Sequence, residues 1–160
     1  MKKYNLLSEI KETLIKNKLS LSTAESCTGG LISSYLTDID GASNFIFQNF
    51  ITYSNAAKNK FLEVSNETLE KYGAVSQQTA YEMAKGLLNY ADCAIATTGI
   101  LGPTGGSKEK PIGLVYIGLG YKNKIKVVKY ISSKTARYEI KVDIVETALG
   151  EFLNFIKTEA

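Results

Sequence analysis

Segments with helically spaced apolar residues alternate with short β-rich runs from one end of the chain to the other. This alternation restricts the fold more than any other feature. Residues 4–16 carry Leu6, Leu7, Ile10, Leu14 and Ile15 at helical spacing. Leu19–Ala24 reads as a strand and runs into Glu25, Ser26, Cys27, Thr28, Gly29 and Gly30, after which a helix resumes through Leu31, Ile32, Tyr35 and Leu36. A turn at Asp38–Ser43 precedes a second strand, Phe45–Tyr53, rich in aromatic and β-branched residues. Short helices follow at Ser54–Leu62 and Asn66–Lys71, and Ser76 is placed to N-cap another, with Ala80, Met83, Ala84, Leu87 and Leu88 on its apolar face. Cys93–Thr98 is a short apolar run suited to a strand buried on both faces. Leu114–Leu119 and Lys124–Ile131 read as an antiparallel hairpin, and a last helix spans about 135–157. The pattern predicts one α/β domain over residues 1–160, with helices on both faces of a mixed, mostly parallel sheet.

The 160 residues include no histidine. Serine–histidine and cysteine–histidine catalysis and histidine-based zinc motifs are therefore excluded, and proton transfer falls to Lys, Tyr, Asp, Glu, Cys or water. The net charge of +3 is too small for a dedicated nucleic-acid binder. Arg137 is the only arginine, which raises the question of anion binding. Two cysteines, Cys27 and Cys93, make no disulfide framework and no CxxC pair. The N-terminal MKKYNLLSEIKETL lacks the apolar run of a signal peptide, and no stretch approaches the ~18 apolar residues of a membrane span. The expected compartment is the cytoplasm, without a membrane partner.

In mostly parallel sheets ligands bind beyond the carboxyl ends of the strands. Three segments leave those ends: 25–30, 53–58 and 98–106. Ser26, at a strand-to-helix junction, would expose a hydroxyl there beside the backbone N–H groups of Thr28, Gly29 and Gly30, which can hold an oxyanion or a phosphate. It could equally be a plain N-cap. Cys27 is a rival nucleophile, since a helix N-terminus can lower a thiol pKa, but neighbours in a tight turn face different sides and Cys27 suits packing. Tyr53 and Lys58 bracket the next strand-to-helix junction. Without histidine, a serine nucleophile needs another base, and neutral lysine serves in serine–lysine enzymes. An ordinary lysine is charged at neutral pH, so a basic Lys58 needs burial or positive neighbours, at a differential cost of about 4 kcal/mol. Read in isolation, Lys58 could be a surface lysine and Tyr53 a half-buried strand residue. The loop Gly99–Gly113 holds five of the 13 glycines and both prolines. It fits neither a P-loop nor GxGxxG, and serves either as an anion-binding backbone or as a wide surface loop. Asp38 and Asp40 lie in a turn without further ligands, so no metal is expected.

Taken together, AESCTGGL (24–31), YSNAAK (53–58), GAVS (73–76) and TTGILGPTGGSKEKPIGLVYIG (97–118) resemble the CinA C-terminal domain family, over about residues 5–155. Its active members are nicotinamide-mononucleotide amidohydrolases, also called nicotinamide-nucleotide amidases. The resemblance implies a three-layer α/β/α sandwich with a mixed five-stranded sheet. It implies a Ser-Tyr-Lys catalytic set on Ser26, Tyr53 and Lys58, and deamidation of nicotinamide mononucleotide in pyridine-nucleotide recycling. It implies a homodimer, and neither cofactor nor metal. Lys58 would deprotonate Ser26, through Tyr53 or directly, and Ser26 would form a nicotinoyl ester. Backbone N–H groups around Thr28, Gly29 and Gly30 would hold the oxyanion. Thr98, Gly99, Gly102, Gly105, Gly106 and Arg137 would bind ribose and phosphate. In larger family members this domain follows an N-terminal domain.

The sequence departs from the family pattern in two places. Leu101 stands where the family loop often has alanine. Lys134-Thr135-Ala136-Arg137, with Lys141 four residues on, replaces a common Gly-Asp-Arg followed by a second arginine. The alternatives to the hydrolase are a non-catalytic nucleotide-binding or regulatory module linked to competence or recombination, and a cysteine enzyme using Cys27.

Overall fold

The computed structural model describes residues 2–159. Helices α1 (Lys2–Lys16), α2 (Leu31–Thr37), α3 (Asn55–Leu62), α4 (Asn66–Tyr72), α5 (Gln77–Leu87) and α6 (Arg137–Glu159) enclose strands β1 (Leu21–Glu25), β2 (Ile46–Ile51), β3 (Cys93–Gly99), β4 (Leu114–Tyr121) and β5 (Lys124–Ile131). The strands form one sheet in the order β2-β1-β3-β4-β5. β1 pairs in parallel with β2 and β3, while β4 is antiparallel to both β3 and β5, so four strands point one way and β4 alone runs against them. The result is the expected three-layer α/β sandwich with a mixed five-stranded sheet.

Alternation along the strands divides the core. Cys93 and Ile95 of β3 and Val115, Ile117 and Leu119 of β4 pack with Leu7, Ile10 and Leu14 of α1 and with the Ile140, Ile144, Ala148 and Phe152 face of α6. The opposite face presents small residues, Ala24, Ala94 and Ala96, to Leu62, Leu69, Met83, Ala84 and Leu87 of α3–α5. Their size lets α5 lie close against the sheet. A Cβ on Gly118 of β4 would fall 2.4 Å from the Ala80 carbonyl of α5, and one on Gly86 of α5 only 2.1 Å from the Leu62 carbonyl. Gly86→Ala must therefore push α3 from α5. We expect a loss of about 1–3 kcal/mol, read as a lowered melting temperature, whereas the same change at Gly150, where nothing lies within 4 Å, should be harmless.

Serines start the helices of the second layer. Ser54, Ser65 and Ser76 each accept a hydrogen bond from the backbone N–H three residues on, at Ala57, Thr68 and Thr79. Several boundaries differ from the sequence expectation by a residue or two, and two have a clear cause or consequence. β1 begins at Leu21 because Leu19 still donates to Leu14 and closes α1. β2 stops at Ile51: Thr52 N–H still donates to Glu25 O (2.9 Å), but the Thr52 carbonyl and Tyr53 leave the ladder, with a consequence for the site described below. No described helix is long and apolar enough to cross a membrane.

Candidate active site

The carboxyl ends of β1, β2 and β3 lie side by side, and Ser26, the residue after β1, is anchored there by its N–H donating to Thr97 of β3 (3.1 Å). The turn that follows is organised by Glu25. This carboxylate is fully buried. Its Oε2 accepts from Thr28 Oγ1 (2.7 Å) and from the N–H groups of Gly30 and Ile32 (both 3.0 Å). Its Oε1 accepts from the N–H and the hydroxyl of Ser33 (both 2.8 Å). A buried charge requires such saturation, and the positive end of α2 adds to it. Thr28 gives its single proton to Glu25, so Thr97 donates in the second contact between the two hydroxyls (2.8 Å). Thr28, Gly29 and Gly30 are thus spent on building the turn. Gly29 N–H donates to Ser26 O and Gly30 N–H to Glu25. Among the described residues, the N–H groups of Cys27 and Thr28 are the ones in this turn that donate to no other residue.

Lys58 comes from the second turn of α3. The Ser54 cap starts that helix, and the Lys58 side chain runs back beneath the departing β2 segment, leaving the residue only 1% exposed. Its ammonium donates to the carbonyls of Thr52 and Tyr53 (both 3.0 Å) and to Ser26 Oγ (3.1 Å). The early end of β2 is what frees those two carbonyls. Burial lowers the Lys58 pKa from its ordinary value, with the nearby Cys27 acting weakly the other way. Once Lys58 is neutral, its two N–H bonds satisfy the two carbonyls and its lone pair faces the Ser26 hydroxyl, which then donates to it. This is the arrangement of a nucleophile and its base.

The sequence-expected residues are not all brought together. Ser26 and Lys58 meet directly. Tyr53 joins them through its carbonyl; its ring stands 62% exposed at the mouth of the site, and its hydroxyl makes no hydrogen bond among the described residues. A cavity of about 250 Å³ opens in front of Ser26. Thr98, Gly99, Gly102, Gly105 and Arg137 line it, while Thr28, Gly29, Gly30 and Gly106 do not. Gly106 instead packs its Cα against Ile112, where a Cβ would fall 2.9 Å from a side-chain carbon. The Thr98 hydroxyl donates to Ala74 O (2.7 Å), tying the α4–α5 loop to the cavity wall. Arg137 donates through Nη1 to Gly102 O (2.6 Å) and so holds the glycine loop with one arm. Lys141 Nζ lies 3.6 Å from where a Gly29 side chain would begin, which puts the second basic position beside the nucleophile turn. Among the described residues, no three Cys, Asp or Glu side chains gather as a metal site requires.

Cys27 lines the cavity but is buried, and burial pushes its thiol up to about 12. It is a packed neutral thiol. Cys27→Ser should retain activity, and native protein at pH 8 should resist iodoacetamide at Cys27, as followed by intact mass. Cys93 is likewise buried and pushed up to about 12. Sequence reasoning missed Glu25 and the two lysine-binding carbonyls. The signal for Glu25 was available: a lone acidic residue at the end of an otherwise uncharged strand, directly before the candidate nucleophile.

Comparison with known proteins identifies the family of the chain. The family model described as CinA C-terminal domain matches residues 3–156. A CinA-like protein of Fusobacterium nucleatum is 55% identical over 111 residues, covering 69% of this chain and 27% of that protein. One from Endomicrobium trichonymphae is 49% identical over 138 residues, covering 85% of this chain and 32% of that protein. The chain thus spans about a third of the length of the curated relatives it matches. The crystal structure of competence/damage inducible protein CihA from Agrobacterium tumefaciens superposes with a TM-score of 0.91 at 43% identity, covering 96% of each chain. A CinA superfamily protein from Klebsiella pneumoniae reaches 0.92 at 29% identity, covering 98% of each. On the matched model, the relatives and the shared fold, this chain belongs to the CinA C-terminal domain family.

Proposed function

We propose that the chain hydrolyses the carboxamide of nicotinamide mononucleotide to nicotinate mononucleotide and ammonia, with Ser26 as nucleophile and Lys58 as base. The observation that carries this reading is the buried Lys58 Nζ, 3.1 Å from Ser26 Oγ with its other two donor positions filled by carbonyls. Neutral Lys58 takes the Ser26 proton as Oγ attacks the carboxamide carbon. The resulting Lys58 ammonium gives a proton to the departing nitrogen, so that ammonia leaves and a nicotinoyl ester remains on Ser26. Water, deprotonated by the same lysine, cleaves the ester and restores the hydroxyl. Since Lys58 reaches Ser26 directly, no relay through Tyr53 is needed, and the exposed Tyr53 ring is left to cover the pyridine ring. The usual anion site at a helix N-terminus is filled in α2 by Glu25. The phosphate therefore falls to Arg137, whose remaining guanidinium N–H groups are free of Gly102, and ribose to the loop 99–106. The reading includes a homodimer acting in the cytoplasm in pyridine-nucleotide recycling, without a cofactor.

The names of the relatives raise a second reading, a nucleotide-binding module tied to competence. A pure binding module has no use for a buried lysine with a lowered pKa aimed at a serine. The deciding assay is ammonia release from nicotinamide mononucleotide and from its riboside, which lacks the phosphate. Release from the nucleotide with a raised KM for the riboside supports the enzyme. A ligand-induced rise in melting temperature without ammonia supports the binding module and sinks the hydrolase.

A further inference from the structure

We propose that Glu25 is a positioning residue that sets where the oxyanion is held: by consuming the N–H groups of α2 it leaves that of Cys27, next to Ser26, as the donor for the developing charge. This rests on Ser26 being the nucleophile. The first turn of a helix offers several free N–H groups to any anion nearby. Here the N–H groups from Gly29 to Ser33 are all committed: Gly29 to Ser26 O, Leu31 to Thr28 O, and Gly30, Ile32 and Ser33 to the Glu25 carboxylate. What remains is the pair at the positions immediately after the nucleophile, of which Thr28 lies away from the cavity. The first of that pair, Cys27, lines the cavity. The N–H following a nucleophilic serine at a strand-to-helix turn is the donor position such turns use.

A cap serving stability alone would be simpler. A Ser, Thr, Asn or Asp at the N-cap would do it locally. The N-cap of α2 is instead Gly30, in the left-handed region (φ 100°) and without a side chain, and the capping group comes from the residue directly before Ser26. Through Thr28 and Thr97 the same carboxylate also reaches β3. The cap therefore locks the nucleophile's backbone to both the helix and the sheet.

The test is Glu25→Gln, compared with wild type and Ser26→Ala, in two assays. One is ammonia release from nicotinamide mononucleotide. The other is acylation of Ser26 by p-nitrophenyl acetate, in which the Ser26 Oγ–acyl bond forms, p-nitrophenolate leaves and the serine proton passes to Lys58. Glutamine keeps the shape but replaces one accepting oxygen by a donor, so N–H groups of α2 lose their partner. We expect kcat and the acylation rate to fall by about tenfold to a hundredfold, below the full loss of an oxyanion donor, with KM little changed. Should Glu25→Gln fail to fold, Thr28→Val, which removes the hydroxyl linking Glu25 to Thr97, reads the same effect more mildly. A lowered melting temperature with wild-type kcat and wild-type acylation rate, in whichever variant folds, overturns the proposal. Wild type that is acylated by the ester but releases no ammonia refutes the substrate reading, and the ester rates then judge Glu25 alone. Wild type no more reactive than Ser26→Ala toward both substrates refutes the nucleophile, and the role of Glu25 with it.

Discussion

Ser26→Ala is expected to reduce ammonia release by about 10⁴- to 10⁶-fold, the scale of losing a nucleophile that works as a unit with its base, while the protein stays folded. The argument for the fold is local. Among the described residues Ser26 Oγ hydrogen-bonds only with Lys58 Nζ at 3.1 Å and, at the limit of a hydrogen bond, Tyr53 O at 3.5 Å. Removing it leaves Lys58 still donating to two carbonyls. The turn itself is held by Glu25, Thr28 and backbone N–H groups that the substitution does not touch. The stability change should therefore stay within about 1 kcal/mol. Kinetics, a thermal melt and a mass-spectrometric search for the nicotinoyl ester check this together: the ester should appear in quenched wild type and never in the variant. A variant retaining near-wild-type turnover would remove Ser26 from the chemistry.

Lys58→Met is expected to lower kcat by about 10²- to 10⁴-fold, the range for a positioned general base, and to change the pH response of both activity and stability. The folded protein holds Lys58 at a pKa below the 10.5 of the exposed side chain, because burial disfavours the charge. Activity should therefore rise with pH as Lys58 loses its proton, with a midpoint below 10.5. The linkage has the same sign. Between the folded pKa and 10.5 the unfolded chain binds one proton more than the folded one, so stability rises with pH across that window. It is lost again as pH falls through the folded value. Methionine removes both dependences. It also strips the Thr52 and Tyr53 carbonyls of their donor, at about 1–3 kcal/mol for a buried group left unpaired, so the variant should melt lower at every pH. Denaturant titrations at three pH values, beside a pH–rate profile, separate these effects. A variant whose stability keeps the wild-type pH slope would show that Lys58 is not the titrating group.

The order of elements was legible in the chain because helical and strand spacings of apolar residues differ, and that difference needs no tertiary information. Ser76 as an N-cap, the β4–β5 hairpin and the buried β3 were readable for the same reason, since each depends on residues close in sequence. So was the likeness of four motifs to one family, and with it the pairing of Ser26 with Lys58. The limits of β2 were not legible. Phe50, Ile51, Thr52 and Tyr53 are all strand formers, and only the need of Lys58 for two carbonyl partners shows why the Thr52 carbonyl and Tyr53 leave the ladder. Nor could composition tell that Thr28, Gly29 and Gly30 build the turn and do not line the cavity, because a backbone N–H looks the same in sequence whether it faces ligand or Glu25. The sequence by itself determined the layered α/β architecture and which residues are candidates for the chemistry. Tertiary structure alone decided which hydrogen-bonding groups remain free at the site, since that depends on which buried partners, distant in the chain, have already claimed the others.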